Sequence, residues 1–214
     1  VSVAYIPSDR ALTLTYDRVI DILQSKLPTV MNNRFNRDAN DFTDGGDGVF
    51  LPDPSEYYRQ SAPEQNDLLG VEEVEVYTGQ SGASSYGDYR NVDGDGKLVE
   101  VEVPWAVTIL FGVSPQGSID DPVQGRDLHP REVTQRRANL YAGALKHTAS
   151  KWFSIGSGNS TRNNAISRIE EGDDLSTTLQ VSVQDSDDPT NLRGLALFDF
   201  TIHQRQLLPR TDQT

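Results

Sequence analysis

The chain contains no cysteine among its 214 residues, which excludes disulfides and thiolate metal sites. No stretch approaches the roughly 18 consecutive apolar residues of a membrane span. No basic segment followed by an apolar one opens the chain, so a retained secretion signal is not expected. Positive charge is scarce: 19 Lys and Arg stand against 32 Asp and Glu, a net charge of −13. A surface that grips nucleic acid by neutralising phosphates is therefore not expected. Histidine is rarer still, and His129, His147 and His203 lack a second histidine at metal-ligand spacing. Gly156-Ser157-Gly158 misses the G-x-S-x-G spacing of a nucleophile elbow, and no phosphate-binding or dinucleotide glycine fingerprint occurs. No catalytic residue and no cofactor is indicated, and the chain reads as a non-enzyme.

What is present is charge sorted along the sequence. Residues 38–102 hold 16 acidic and three basic side chains, a net −13 that equals the whole excess. Residues 126–168 hold eight basic side chains (Arg126, Arg131, Arg136, Arg137, Lys146, Lys151, Arg162, Arg168) against Asp127 and Glu132. Complementary patches steer subunits together, and patches on different faces make a head-to-tail contact that closes into a ring or runs on as a filament. Fifteen of the 19 basic residues are arginine, whose planar fork pairs with carboxylates at interfaces. The subunit-interface candidates are Arg131, Arg136, Arg137 and Lys146 on one side, and Asp44, Asp47, Glu73 and Glu75 on the other.

The periodicities predict an α+β fold in one domain spanning 1–214: a mostly antiparallel sheet, two principal helices packed on it, and long loops. Residues 1–10 read as an extended arm. Tyr16, Val19, Ile20, Leu23 and Leu27 recur at helical spacing, with Thr15 as cap and Pro28 as terminator. Residues 32–70 have no period; Asn, Asp, Gly and Pro dominate around Phe35, Phe42, Phe50, Tyr57 and Tyr58. This reads as a long acidic loop insertion that docks on something, such as a neighbouring subunit. Strands are expected at Val71–Thr78 and Lys97–Val113, with a bulge or a change of partner at Pro104. A second helix, Arg131–Phe153, starts at Pro130 and carries Val133, Leu140, Tyr141, Ala144, Leu145, Thr148 and Trp152 in a stripe. Strands at Ala165–Glu171, Thr177–Val183 and Gly194–Leu207 close the chain, the last presenting Ala196, Phe198, Phe200 and Ile202 on one face. No βαβ alternation appears, which favours antiparallel pairing.

One motif points to a cation. Asn91-Val92-Asp93-Gly94-Asp95-Gly96 followed by Glu102 fits the calcium-loop pattern except for Asn at its first position. Strand-like flanks and the valine alternation through Glu102 suit an Asp-Gly hairpin equally. The metal-free hairpin is the primary expectation. A calcium-stabilised binding or adhesion module, with Asn91, Asp93, Asp95 and Glu102 as ligands, is the alternative.

The order of elements resembles the tail-terminator and neck proteins of long-tailed bacteriophages. It is carried by Thr15–Leu27, Leu98–Val113, Arg131–Trp152 and Leu192–Leu207 (LRGLALFDFTIHQRQL); the acidic stretch 32–70 departs from the compact members. The resemblance implies a virion protein assembled in the host bacterial cytoplasm. It would form a ring of copies of itself, commonly hexameric, that ends the tail tube and joins other tail and neck proteins to the head. DNA would pass through the lumen without sequence reading, with no membrane partner.

Overall fold

The computed structural model describes residues 6–36, 49–60, 62, 73–92, 96–113, 119–121, 126–153, 165–171, 179–185 and 192–208. Two long strands form its spine: β5 (Gly96–Val113) and β10 (Leu192–Leu208) pair antiparallel in continuous register from Leu192↔Val113 to Leu208↔Lys97. At about 3.3 Å per residue, this ribbon runs for roughly 55 Å. The alternation that begins at Val99 continues unbroken, so that Val101, Val103, Trp105, Val107, Ile109, Phe111 and Val113 are all buried on one face. Ala196, Phe198, Phe200 and Ile202 of β10 join them, as their spacing requires. The Phe111 ring lies directly over Gly194 of the facing strand, where an added Cβ would overlap it. No residue but glycine fits there.

Shorter strands fill the two edges of this ribbon. β3 (Val74–Gln80) pairs with the second half of β5 and β4 (Ser85–Val92) with the first half, and the exchange falls at Pro104. Of the two expectations for Pro104, a bulge or a change of partner, the second holds. Towards β10 the ladder passes straight through, Pro104 opposite Thr201, and towards β3 its carbonyl accepts from Ser81 N at 3.0 Å. The far edge of β10 takes β9 (Leu179–Asp185), β8 (Arg168–Glu171) and β1 (Ile6–Pro7) in turn. β2 (Glu56–Tyr58) lies on the outer edge of β3. β6 (Ile119–Asp121) and β7 (Arg126–Leu128) form a separate hairpin.

The fold is α+β, as its periodicities indicate, but the eight-stranded sheet is mixed rather than mostly antiparallel. β1 and β2 pair parallel to their neighbours while the other five pairings are antiparallel. At two and three residues, these strands are too short to show a period of two.

Both helices cover the same face. α1 runs from Ala11 to Val30, longer at both ends than the apolar spacing suggests. Thr15 is not its cap: it is buried inside the helix, donating to the Ala11 carbonyl at 2.8 Å and accepting from Gln204 of β10. Pro28 does not end it. A proline removes the hydrogen bond to the carbonyl four residues back, here that of the exposed Gln24, and the chain continues as a wider turn over Met31–Asn36. Tyr16 meets Trp105 edge-on at 4.8 Å, and the Trp105 indole donates to Thr78 Oγ1 at 2.7 Å. α2 (Pro130–Thr148), extended by a wide turn over Ala149–Phe153, packs Tyr141 on Phe111 and Phe153 on Phe200. Leu140 and Trp152, expected in its apolar stripe, are only half-buried.

The stretch 32–70 is not a single loop. Residues 31–36 prolong α1, and Val49 and Leu51 are buried in the molecule's own core. Asn36 holds this return, its amide accepting from Leu51 N at 2.8 Å and donating to Leu51 O at 2.9 Å. Tyr57 therefore packs against this chain's own core, with β2 sealing the edge of β3, whereas the Phe50 side chain stays exposed. Phe42 lies outside the described residues.

Candidate functional site

α2 starts from a complete capping box. His129, extended at its backbone, accepts from Arg131 N through Nδ1 at 3.2 Å, while Glu132 accepts from His129 N at 3.1 Å. Pro130 occupies the first helical position, where its missing N–H costs nothing. The helix then presents two faces. Inward lie Val133, Thr134, Arg137, Ala138, Tyr141, Ala144, Leu145 and Thr148, all buried. Outward or flanking lie Arg131, exposed, and Arg136 and Lys146, half-buried.

Arg137 is therefore not the accessible interface residue that the charge map suggests. It is 8% exposed, and its Nε donates to the Phe50 carbonyl at 3.0 Å. One turn further along the same face, Tyr141 donates its hydroxyl to the Pro52 carbonyl at 2.7 Å. Together they tie the Phe50–Pro52 segment to the helix. The signal was in the sequence: Arg137 sits four residues after Val133 and four before Tyr141, inside the apolar stripe.

The acidic candidates divide in the same way. Glu73 is exposed just before β3, whereas Glu75 is half-buried and accepts from Tyr77 Oη at 2.7 Å and Tyr58 Oη at 3.4 Å. These two rings stack at 4.8 Å. The Tyr77 phenol is held well above its ordinary value, first by burial and then by its bond to Glu75, and stays a donor. Glu75 thus has partners within its own molecule. Asp44 and Asp47 lie outside the described residues.

The calcium candidates are not gathered. Asn91 pairs with Lys97 and Val92 with Gly96 in a regular ladder, and Glu102 pairs with Ser85 further along β5. Six residues of extended strand separate Gly96 from Glu102, roughly 20 Å, whereas a calcium cage brings its last ligand back to about 2.5 Å from the ion. Asp93 and Asp95 lie outside the described residues. Among the described residues no three His, Cys, Asp or Glu side chains meet as a metal site.

Glu102 belongs instead to a charged row on the sheet's outer face. His203, 1% exposed, stands between Glu102 of β5 and Arg168 of β8. Its Nε2 faces Glu170 at 2.8 Å, and Nδ1 faces Arg168 Nη2 at 3.3 Å and Glu100 Oε1 at 3.5 Å. The enclosed imidazole joins three strands and is shielded from any substrate.

A second basic cluster forms where the two helices end, and spacing along the chain did not reveal it. Arg34, in the wide turn after α1, reaches His147 Nδ1 at 3.4 Å. His147 meets Trp152 edge-on at 6.0 Å, and Lys151 Nζ lies 4.7 Å above the Trp152 ring. The His147 imidazole is held below its ordinary value, chiefly by burial and then by Arg34 and Lys151. Arg34 arrives because Phe35 packs 3.5 Å from where a Cβ on Gly143 would stand, which fixes the end of α1 on α2. That contact joins positions more than a hundred residues apart.

No helix among the described residues is long and apolar enough to cross a membrane. In comparisons with known proteins, the chain matches no family model, and no curated protein is significantly similar to it.

Proposed function

We propose that the chain is a structural subunit of a bacteriophage tail, a terminator or neck component whose copies assemble into a ring through opposite charges. The observation that carries this reading is the outward face of α2. It displays Arg131, Arg136 and Lys146 on a chain whose net charge is −13 and whose negative excess lies in residues 38–102. The element order supports it as well. Helix, long hairpin strand, second helix and closing strand stand at Ala11–Val30, Gly96–Val113, Pro130–Thr148 and Leu192–Leu208, the segments on which the resemblance rests. Such a ring would pass DNA through its lumen without sequence reading, because an acidic protein does not retain phosphates. Its other partners would be tail and neck proteins, and its place the virion.

Multi-angle light scattering with negative-stain imaging at micromolar concentration tests the reading. It predicts closed rings at low salt that dissociate towards 1 M salt, where screening lengths fall to about 3 Å. A protein that stays monomeric at low salt and up to the highest soluble concentration would contradict it.

A further inference from the structure

The cluster at the ends of the two helices borders a groove of about 760 Å³ lined by Arg18, Asp21, Ile22, Lys26 and Trp152 among others. Trp152 belongs to both. One side of its ring carries Lys151 and its edge faces His147, with Arg34 beyond. A half-buried tryptophan with Lys151 over its ring and Arg34 beyond His147 is suited to an anionic segment that also brings an aromatic side chain. The cations hold carboxylates while the ring and the Ile22 floor take an apolar group.

We infer that this groove is the docking site for the acidic stretch 38–48 of a second copy. The inference rests on the ring reading and names one contact within it, separate from the outward face of α2. Charge complementarity selects the occupant. The stretch reads DANDFTDGGDG, four aspartates with no basic residue, and carries a single aromatic, Phe42. Every copy brings one stretch and one groove, so in a closed ring each stretch can enter the next copy's groove and the stoichiometry is met. A polyphosphate backbone would satisfy the cations too. It would leave the apolar floor unused, and it would approach a molecule of net charge −13 against long-range repulsion. Asp21 on the groove wall opposes either anion.

His147 supplies an independent readout. Arg34 from the turn after α1, and Lys151 beside Trp152 from the extension of α2, are the charged groups facing it. An anion beside these cations restores the imidazole's affinity for a proton, so binding takes up a proton and tightens as the pH falls.

The test uses the full chain and a synthetic peptide of residues 38–48, with binding followed by Trp152 fluorescence; Trp105 is fully buried and insensitive to the groove. The peptide is expected to bind the parent and to bind at least tenfold more weakly to Arg34→Glu with Lys151→Glu, both exposed positions. A peptide with asparagine at the four aspartate positions should not bind. Binding of the acidic peptide should tighten between pH 8 and pH 6 in the parent and lose that dependence in His147→Gln. Absent binding, equal binding by the double variant, or displacement by an equimolar short DNA duplex would each overturn the inference, the last by making the groove a phosphate site. Failure of the wider reading looks different: a parent that never forms rings sinks the ring, whatever the peptide does. Rings that persist unchanged in the double variant sink this docking site alone.

Discussion

The two faces of α2 carry positive charge to different ends. On the inward face, Arg137 spends its guanidinium on the Phe50 carbonyl, and Tyr141 on that of Pro52. On the outward side lie Arg131, exposed, and Arg136 and Lys146, half-buried, and at the C-terminal end Lys151 stands over the Trp152 ring. Arg136 and Arg137 are adjacent in sequence but about 100° apart around the helix, and that rotation decides which charge is buried in the subunit and which lies nearer its surface. Net charge over a segment says nothing about this division. The stripe of buried neighbours does.

The comparison can be broken most forcefully on the inward side. Tyr141→Ala removes a fully buried ring packed on Phe111 and frees the Pro52 carbonyl. It is expected to cost about 3–5 kcal/mol in urea or thermal unfolding. Arg137→Met keeps the aliphatic stem and loses the hydrogen bond to Phe50. The loss should be about 1.5–3 kcal/mol, the range for bonds to charged groups, with association of the folded protein unchanged. Tyr141→Phe isolates the hydroxyl and should cost roughly 1 kcal/mol. On the outward side Arg136→Glu should cost less stability than Arg137→Met while weakening assembly. A large loss of stability there would mean the two faces do not differ as described.

The smallest effect is a pH dependence. Burial and the neighbouring cations hold the folded His147 below its unfolded value, so between the two values the unfolded chain binds more protons. Its contribution is therefore fully present above the ordinary histidine range and is lost as the pH falls through that range towards the lower folded value. In His147→Gln the isolated subunit should lose this part of its acid sensitivity, which denaturant midpoints at pH 7.5 and pH 5.5 would reveal. Unchanged acid sensitivity would show that the Arg34–His147–Lys151 cluster is not formed in solution.

Much of the sheet was legible in the sequence because its long strands alternate. Val99 to Val103 and Ala196 to Ile202 bury every second residue, which needed no tertiary information, whereas Trp105–Val113 is continuously apolar in sequence and shows its inward face only once folded. The two helices were legible for the same reason, from their i, i+3, i+4 spacing. The ends of α1 were not, whereas Pro130 did mark the start of α2. Thr15 has the chemistry of a cap, but its hydroxyl serves Ala11 and Gln204, and Pro28 is accommodated because the affected carbonyl lies on the exposed side. β1 and β2 escaped notice because two or three residues carry no period. Of the candidate surface residues, Arg137 could have been reassigned from the stripe it shares with Val133 and Tyr141. Arg34 could not, since it joins His147 and Lys151 only through the packing of Phe35 on Gly143.

The division of labour on α2 is tested most directly by sedimentation velocity at low salt on two charge-altered proteins beside the parent: Arg131→Glu with Arg136→Glu and Lys146→Glu, and Arg137→Met alone. The outward triple variant is predicted to sediment as a folded monomer where the parent forms rings, and Arg137→Met to assemble like the parent despite its lower unfolding midpoint. A triple variant that assembles normally, or an Arg137→Met protein that stays folded but no longer assembles, would contradict the account.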